Sequence, residues 1–148
     1  MKKYLYEDVV IIFDKHKKYL AGEEGGEKAE LAEADFYGTD FSFVNLAKAN
    51  LERASFRRSN IMGINLEGAN LKDANMKRAC FANANLKDAN MEGAFLKGCN
   101  FDEADLRGTN LKGAHLEDAY FGNAKYDQET IWPDGFDPEV AGAVLVKE

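Results

Sequence analysis

The chain has only two cysteines, Cys80 and Cys99, which is too few to found a disulfide framework. Its two histidines, His16 and His115, belong to no cluster with metal-ligand spacing, so no metal signature is present. No apolar run approaches the roughly 20 residues that a membrane-spanning helix needs. The longest near the front, Val9 to Phe13, is too short for a signal-peptide core and precedes no small-residue cleavage site. A cytoplasmic protein without a membrane segment is therefore expected. Nucleophile elbows, phosphate loops and spaced His–carboxylate pairs are also missing. The expectation is a non-enzyme with no cofactor.

What is present is a repeat. Residues 29–128 divide into 20 consecutive blocks of five, each with an apolar residue at its third position, from Leu31, Phe36 and Phe41 to Phe121 and Tyr126. Two residues before each of these centres the residue is small, Ala in 14 blocks, with Thr39, Val44, Ser59, Ile64, Cys99 and Thr109 as exceptions. The residue between is Asn in ten blocks and Asp in three. Small, polar, large apolar is a period-2 alternation, which reads as a short extended stretch with two side chains inward and one outward. The last two residues must turn a corner. Gly or Asn often stands second there, as at Gly38, Gly63, Gly68 and Asn83, and a type II turn wants a positive φ at that place. Corners with Lys48, Arg53, Arg58 or Arg78 must turn differently or accept strain.

Strands this short are stable only when stacked, which predicts a β-solenoid. Taking every fourth block sorts the centres into distinct columns. One reads Phe41, Ile61, Phe81, Phe101, Phe121; another reads Leu46, Leu66, Leu86, Leu106, Tyr126. Val44 and Ile64 are also 20 residues apart. A square coil of four blocks, and about five coils, follows. Cys99 then points inward as a stand-in for Ala while Cys80 points outward. The column Asn50, Asn70, Asn90, Asn110 reads as structural rungs of stacked amides.

The block Ala-Asn-Leu-Lys-Asp, at Ala69 to Asp73 and again at Ala84 to Asp88, resembles the pentapeptide repeat family. That resemblance implies a right-handed quadrilateral β-helix. A few members of the family mimic DNA in shape and charge and protect DNA gyrase.

Outside the repeat, two caps are expected. In segment 1–28, Leu5, Val9, Ile12, Phe13, His16 and Leu20 share one helical face, giving an amphipathic helix that ends near Gly22 and a connector over 23–27. In segment 129–148, Trp132 and Phe136 should fold over the last coil. Asp137-Pro138 reads as a helix start, with a short helix from Glu139 to Val146. That tail serves as a cap or as a dimer contact, so monomer and dimer both stay open.

The net charge is −7, but the segments share it unequally. Residues 1–28 are neutral, the repeat carries −3 and the tail −4. The repeat's outward middle positions are mostly neutral Asn, whereas a DNA mimic needs continuous acidity, because duplex DNA carries a charge every ~1.7 Å. The square coil also brings Arg57, Arg58, Lys77, Arg78 and Lys97 onto one edge. Phe43 and Met62 share another corner as an apolar patch, with Phe43 expected to lie beneath a terminal segment. These readings point to an interaction or scaffold protein with an unidentified macromolecular partner, expected to be a protein; no direct binding of nucleic acid is expected. The alternatives are a DNA-mimicking protector or inhibitor of gyrase, and a binder of an acidic partner through the basic edge.

Overall fold

In the computed structural model, which describes residues 1–147, ladder partners in the wall stand 20 residues apart. The outward residue of each block pairs in parallel with its counterpart one coil on, as in Asn50 with Asn70 and Asn60 with Cys80. This makes four faces. The first runs through Glu30, Asn50, Asn70, Asn90 and Asn110; the second through Asp35, Ser55, Asn75, Phe95 and His115. The third holds Asp40, Asn60, Cys80, Asn100 and Tyr120, and the fourth Asn45, Asn65, Asn85, Asp105 and Lys125. Inside, nearly every centre is fully buried, with Phe81, Phe101 and Phe121 stacked at 4.9 Å between ring centroids.

Every corner from the block centred on Leu31 to that centred on Phe121 uses one backbone solution. The centre's carbonyl accepts the N–H of the next block's small residue, and the residue between them that ends the block lies at φ 56 to 70°. This holds for Lys48 (65°), Arg53 (59°), Arg58 (57°) and Arg78 (60°) just as for the glycines. These four corners therefore turn in the same way and accept the strain. Stacking forces the choice, because a different turn in one coil would break its hydrogen bonds to the coils on either side.

The outward Asn and Asp residues explain how the corner is held. Oδ1 of Asn50, Asn70, Asn90 and Asn110 accepts the backbone N–H two residues on, in an Asx turn. Contact along the column is minor: Asn70 Nδ2 reaches Asn50 Oδ1 only at 3.5 Å. The amides are thus primarily turn clips and only secondarily stacked rungs. The polar exceptions at the small inward position are also satisfied. Thr39 and Ser59 hydroxyls donate to the Phe36 carbonyl, Thr109 to Leu86 and the Cys99 thiol to Met76, at 2.7 to 2.8 Å. Burial pushes the Cys99 thiol up to about 12, and both cysteines are free.

The first coil is covered by α1 (Tyr6–Ala21), which ends in a left-handed Gly22. Val9 and His16 are its buried residues, and the Phe13 ring meets Phe41 edge-on at 5.2 Å. Leu5 lies just outside the helix and is exposed, so it does not join the buried face. A Cβ on Gly26 would collide with the Tyr19 backbone, so the connector returns against α1 where only glycine fits. Ahead of α1, Lys2 adds a rung above the second face: its N–H donates to Glu33 and its carbonyl accepts from Asp35.

His16 bolts this cap to the wall. Its Nδ1 accepts the Ala29 N–H at 2.9 Å and its Nε2 faces the Ala47 carbonyl at 2.8 Å. A nitrogen facing an N–H must be unprotonated, so the ring is neutral with its proton on Nε2. Burial is the main cause that lowers its pKa below 6.5.

At the other end, the helix expected from Glu139 to Val146 does not form. Asp137 clips the N–H of Glu139 and Val140, one turn closes through Ala141 and Ala143, and Gly142 breaks it at φ 91°. The chain then extends as β2 (Val144–Leu145), parallel to β1 (Lys125–Tyr126). An isolated helix of two turns is marginal, whereas the fourth face offers an open ladder edge and β-branched residues suit it. Ile131 closes the first face in the same manner, pairing with Asn110. Trp132 meets Phe121, Tyr126 and Phe136 with centroids 5.0 to 5.6 Å apart.

Three outcomes follow. Gly113 has open space around it at φ 68°, so Gly113→Ala isolates the left-handed penalty and costs about 1 kcal/mol in urea unfolding. Lys48→Gly relieves that penalty and gains about 0.5 kcal/mol after the glycine's entropy loss. For His16, the folded pKa lies below the unfolded one, so its contribution is complete above pH 6.5 and is lost as pH falls towards the folded value. Urea titrations should show wild type losing up to about 1.4 kcal/mol per pH unit just below 6.5, and His16→Gln losing less over that window.

Candidate interaction surface

Two files of cations run along the corner between the second and third faces. The first positions of that corner are Tyr37, Arg57, Lys77, Lys97 and Glu117; the second are Gly38, Arg58, Arg78, Gly98 and Asp118. Backbone bonds between coils fix the files: Arg58 N–H donates to Lys77 at 2.9 Å and Arg78 N–H to Lys97 at 2.9 Å. Neighbouring cations in a file are therefore about 4.8 Å apart at their backbones. All five are exposed. Because Arg58 and Arg78 sit at left-handed φ, the local chain conformation, rather than packing, directs them outward.

Charge compensation distinguishes this edge. Between the first and second faces, Arg53 pairs with Glu52 at 2.9 Å and Glu33 at 3.9 Å, and Lys72 pairs with Glu92 at 3.8 Å. On the fourth face Arg107 pairs with Asp105 at 2.7 Å. Burial pushes the Asp105 carboxyl up, but the hydrogen bonds and charge of Arg107, with the charge of Lys125, together outweigh it and hold the carboxyl below its usual range. Among the described residues, none of Arg57, Arg58, Lys77, Arg78 and Lys97 has an acidic group within ion-pair distance. Like charges at this spacing repel by less than about 1 kcal/mol per pair in water, which the ladder easily withstands.

Aromatic rings accompany the cations. Arg57 lies over Tyr37 at 5.3 Å and Lys77 over Phe95 at 5.8 Å, while Phe95 and His115 stack at 4.7 Å. Tyr37 is 55% exposed and Phe95 37%. Sequence reasoning found the cations but did not join the rings to them. The signal was available, since Tyr37 shares the corner column and Phe95 and His115 lie on the adjoining second face.

The apolar pair behaves otherwise than expected. Phe43 is 74% exposed and no terminal segment covers it. The Phe13 ring of α1 packs on Phe41, whereas the Phe43 ring lies against Gly63 of the next coil. Met62, on the same corner, is 36% exposed. Among the described residues no group of His, Cys, Asp or Glu is arranged to hold a metal, and no helix is long and apolar enough to cross a membrane.

Comparison with known proteins agrees with this architecture. A family model described as pentapeptide repeats (8 copies) matches residues 34–73, 49–88 and 79–118, more than half of the chain. No curated protein matches the sequence. Among solved structures, a pentapeptide repeat protein from the cyanobacterium Cyanothece is 28% identical, over 71% of this chain and 88% of that one, with a TM-score of 0.45. One from the thylakoid lumen of Arabidopsis thaliana is 25% identical, over 63% and 68%, with a TM-score of 0.53. QnrB1, a plasmid-mediated fluoroquinolone resistance protein, is 22% identical over 82% and 64%, with a TM-score of 0.45. With a gapless five-residue block, a 20-residue ladder and this family match together, the chain belongs to the pentapeptide repeat family and is a right-handed β-helical solenoid.

Proposed function

We propose that this protein is a non-enzymatic docking module that holds an acidic partner against the edge formed by Arg57, Arg58, Lys77, Arg78 and Lys97. One observation carries the reading: these five exposed cations are the solenoid's densest group of charge without an acidic partner. Ion pairs within a protein use up charge that a partner would otherwise meet, and this edge keeps its charge available. The flanking rings of Tyr37 and Phe95 add flat apolar area beside the charge, a combination common at binding hot spots. A rigid wall suits this role, because the cations are positioned by backbone bonds before any partner arrives.

A DNA-mimicking role fits less well. It requires one continuous acidic surface, and here the most coherent charged feature is of the opposite sign. The acidity gathers at the far end of the wall, where Glu117 and Asp118 follow the basic files.

The expected result uses poly-glutamate as a defined acidic probe. Wild type should bind immobilised poly-glutamate at low salt and elute as salt rises. The triple variant Arg57→Glu, Arg58→Glu, Arg78→Glu should bind at least tenfold more weakly, a loss of about 1.4 kcal/mol. Equal retention of the folded triple variant would refute the proposal.

A further inference from the structure

The C-terminal end of the solenoid has a paired rung on two faces and none on the other two, of which the third is covered by the Trp132 and Phe136 rings on Phe121 and the second is open. Ile131 pairs beneath the first face and Val144 beneath the fourth, but among the described residues no segment pairs beneath His115 on the second or Tyr120 on the third. In every upper coil of that face, the N–H of the centre and the carbonyl two residues before it bond to the coil below, as Leu96 N–H and Ala94 carbonyl do with His115. The corresponding groups of the last coil, Leu116 N–H and Ala114 carbonyl, have no backbone or side-chain partner among the described residues. Leu116 is also the one centre of the last coil left partly exposed; Leu111, Phe121 and Tyr126 are buried. Beside it is a shallow slot between Ala114, Leu116 and Glu117 of the wall and Pro133, Asp134 and Phe136 of the tail.

We infer that this slot receives one extended peptide strand with adjacent lysines followed by an aromatic residue. Three observations specify that occupant. The unpaired donor and acceptor are those of a parallel ladder edge, which an added strand satisfies. The rim carries Glu117, Asp118 and Asp134, all exposed, and so favours basic residues beside the paired one. The third is the chain's own use of such a strand at the other end of the same face. There Lys2 makes both bonds, to Glu33 and Asp35, Lys3 lies near Asp35, and the Tyr4 ring stacks on Phe36 at 6.1 Å. Phe36 and Leu116 are the first and last centres of one column; because the open groups below flank His115, a strand of that kind pairs there through its second lysine, and the aromatic residue that follows then lies on Leu116. This inference stands apart from the basic edge and does not depend on it.

The test uses the full-length protein and a labelled synthetic peptide reproducing residues 1–6, read by fluorescence anisotropy. Saturable binding is expected. It should weaken at least tenfold when the backbone nitrogen of the residue equivalent to Lys3 is methylated, because that removes the donor to Ala114. It should weaken similarly for the Glu117→Lys, Asp134→Lys variant, both positions being exposed and outside the core, and this assigns binding to the lower slot rather than to displacement of the resident strand. Absence of saturable binding, indifference to methylation or indifference to the charge reversal overturns the inference. So does self-association of the protein that the same charge reversal abolishes while peptide binding is absent, which would assign the slot to a second copy.

Discussion

The hydrogen bonding of each coil to the next, with ladder partners a fixed 20 residues apart, is the constraint on which the rest of this structure depends. An isolated three-residue strand has no stability of its own, so every block relies on its neighbours above and below. That dependence makes the wall unforgiving of variation along the backbone and permissive of variation in side chains. It explains why Arg58 and Arg78 adopt a left-handed φ that glycine takes without cost. The strain at one corner is small beside the loss of hydrogen bonds to two coils.

The same constraint sorts side chains by column. Inward positions must be small or apolar, and the few polar ones, Thr39, Ser59, Cys99 and Thr109, survive because each donates to a backbone carbonyl. Outward positions are free of packing demands, so charge there responds to other pressures. Between the first and second faces opposite signs alternate and pair. Along the second corner they do not, and cations line up beside exposed rings. A solenoid also has two ends that cannot satisfy themselves. Here they are treated unequally, with a helix bolted by His16 at one and single added rungs at the other.

Much of this was legible in the residues. The five-residue block and the fourfold sorting of its centres contain the ladder register, because stacking puts like residues in contact. The basic edge followed from the same arithmetic. The segment from Glu139 to Val146 was harder to read, because Asp137-Pro138 is a sound local helix start and only the open edge beside Lys125 and Tyr126 favours a strand. Phe43 misled for a related reason: nearness to the first coil in sequence did not bring it under α1. The Asn residues read as stacked rungs in sequence, whereas in the fold their Oδ1 atoms clip their own turns.

The sequence by itself determined the repeat, the core columns and the charge of each edge, since these depend on short-range alternation and a constant period. Tertiary structure alone decided what happens where the period stops. At the ends, competing local preferences are settled by which backbone groups remain unpaired, and those groups belong to residues far away in the chain. That is why Lys2, Ile131 and Val144 became rungs, and why the edge below Leu116 did not receive one.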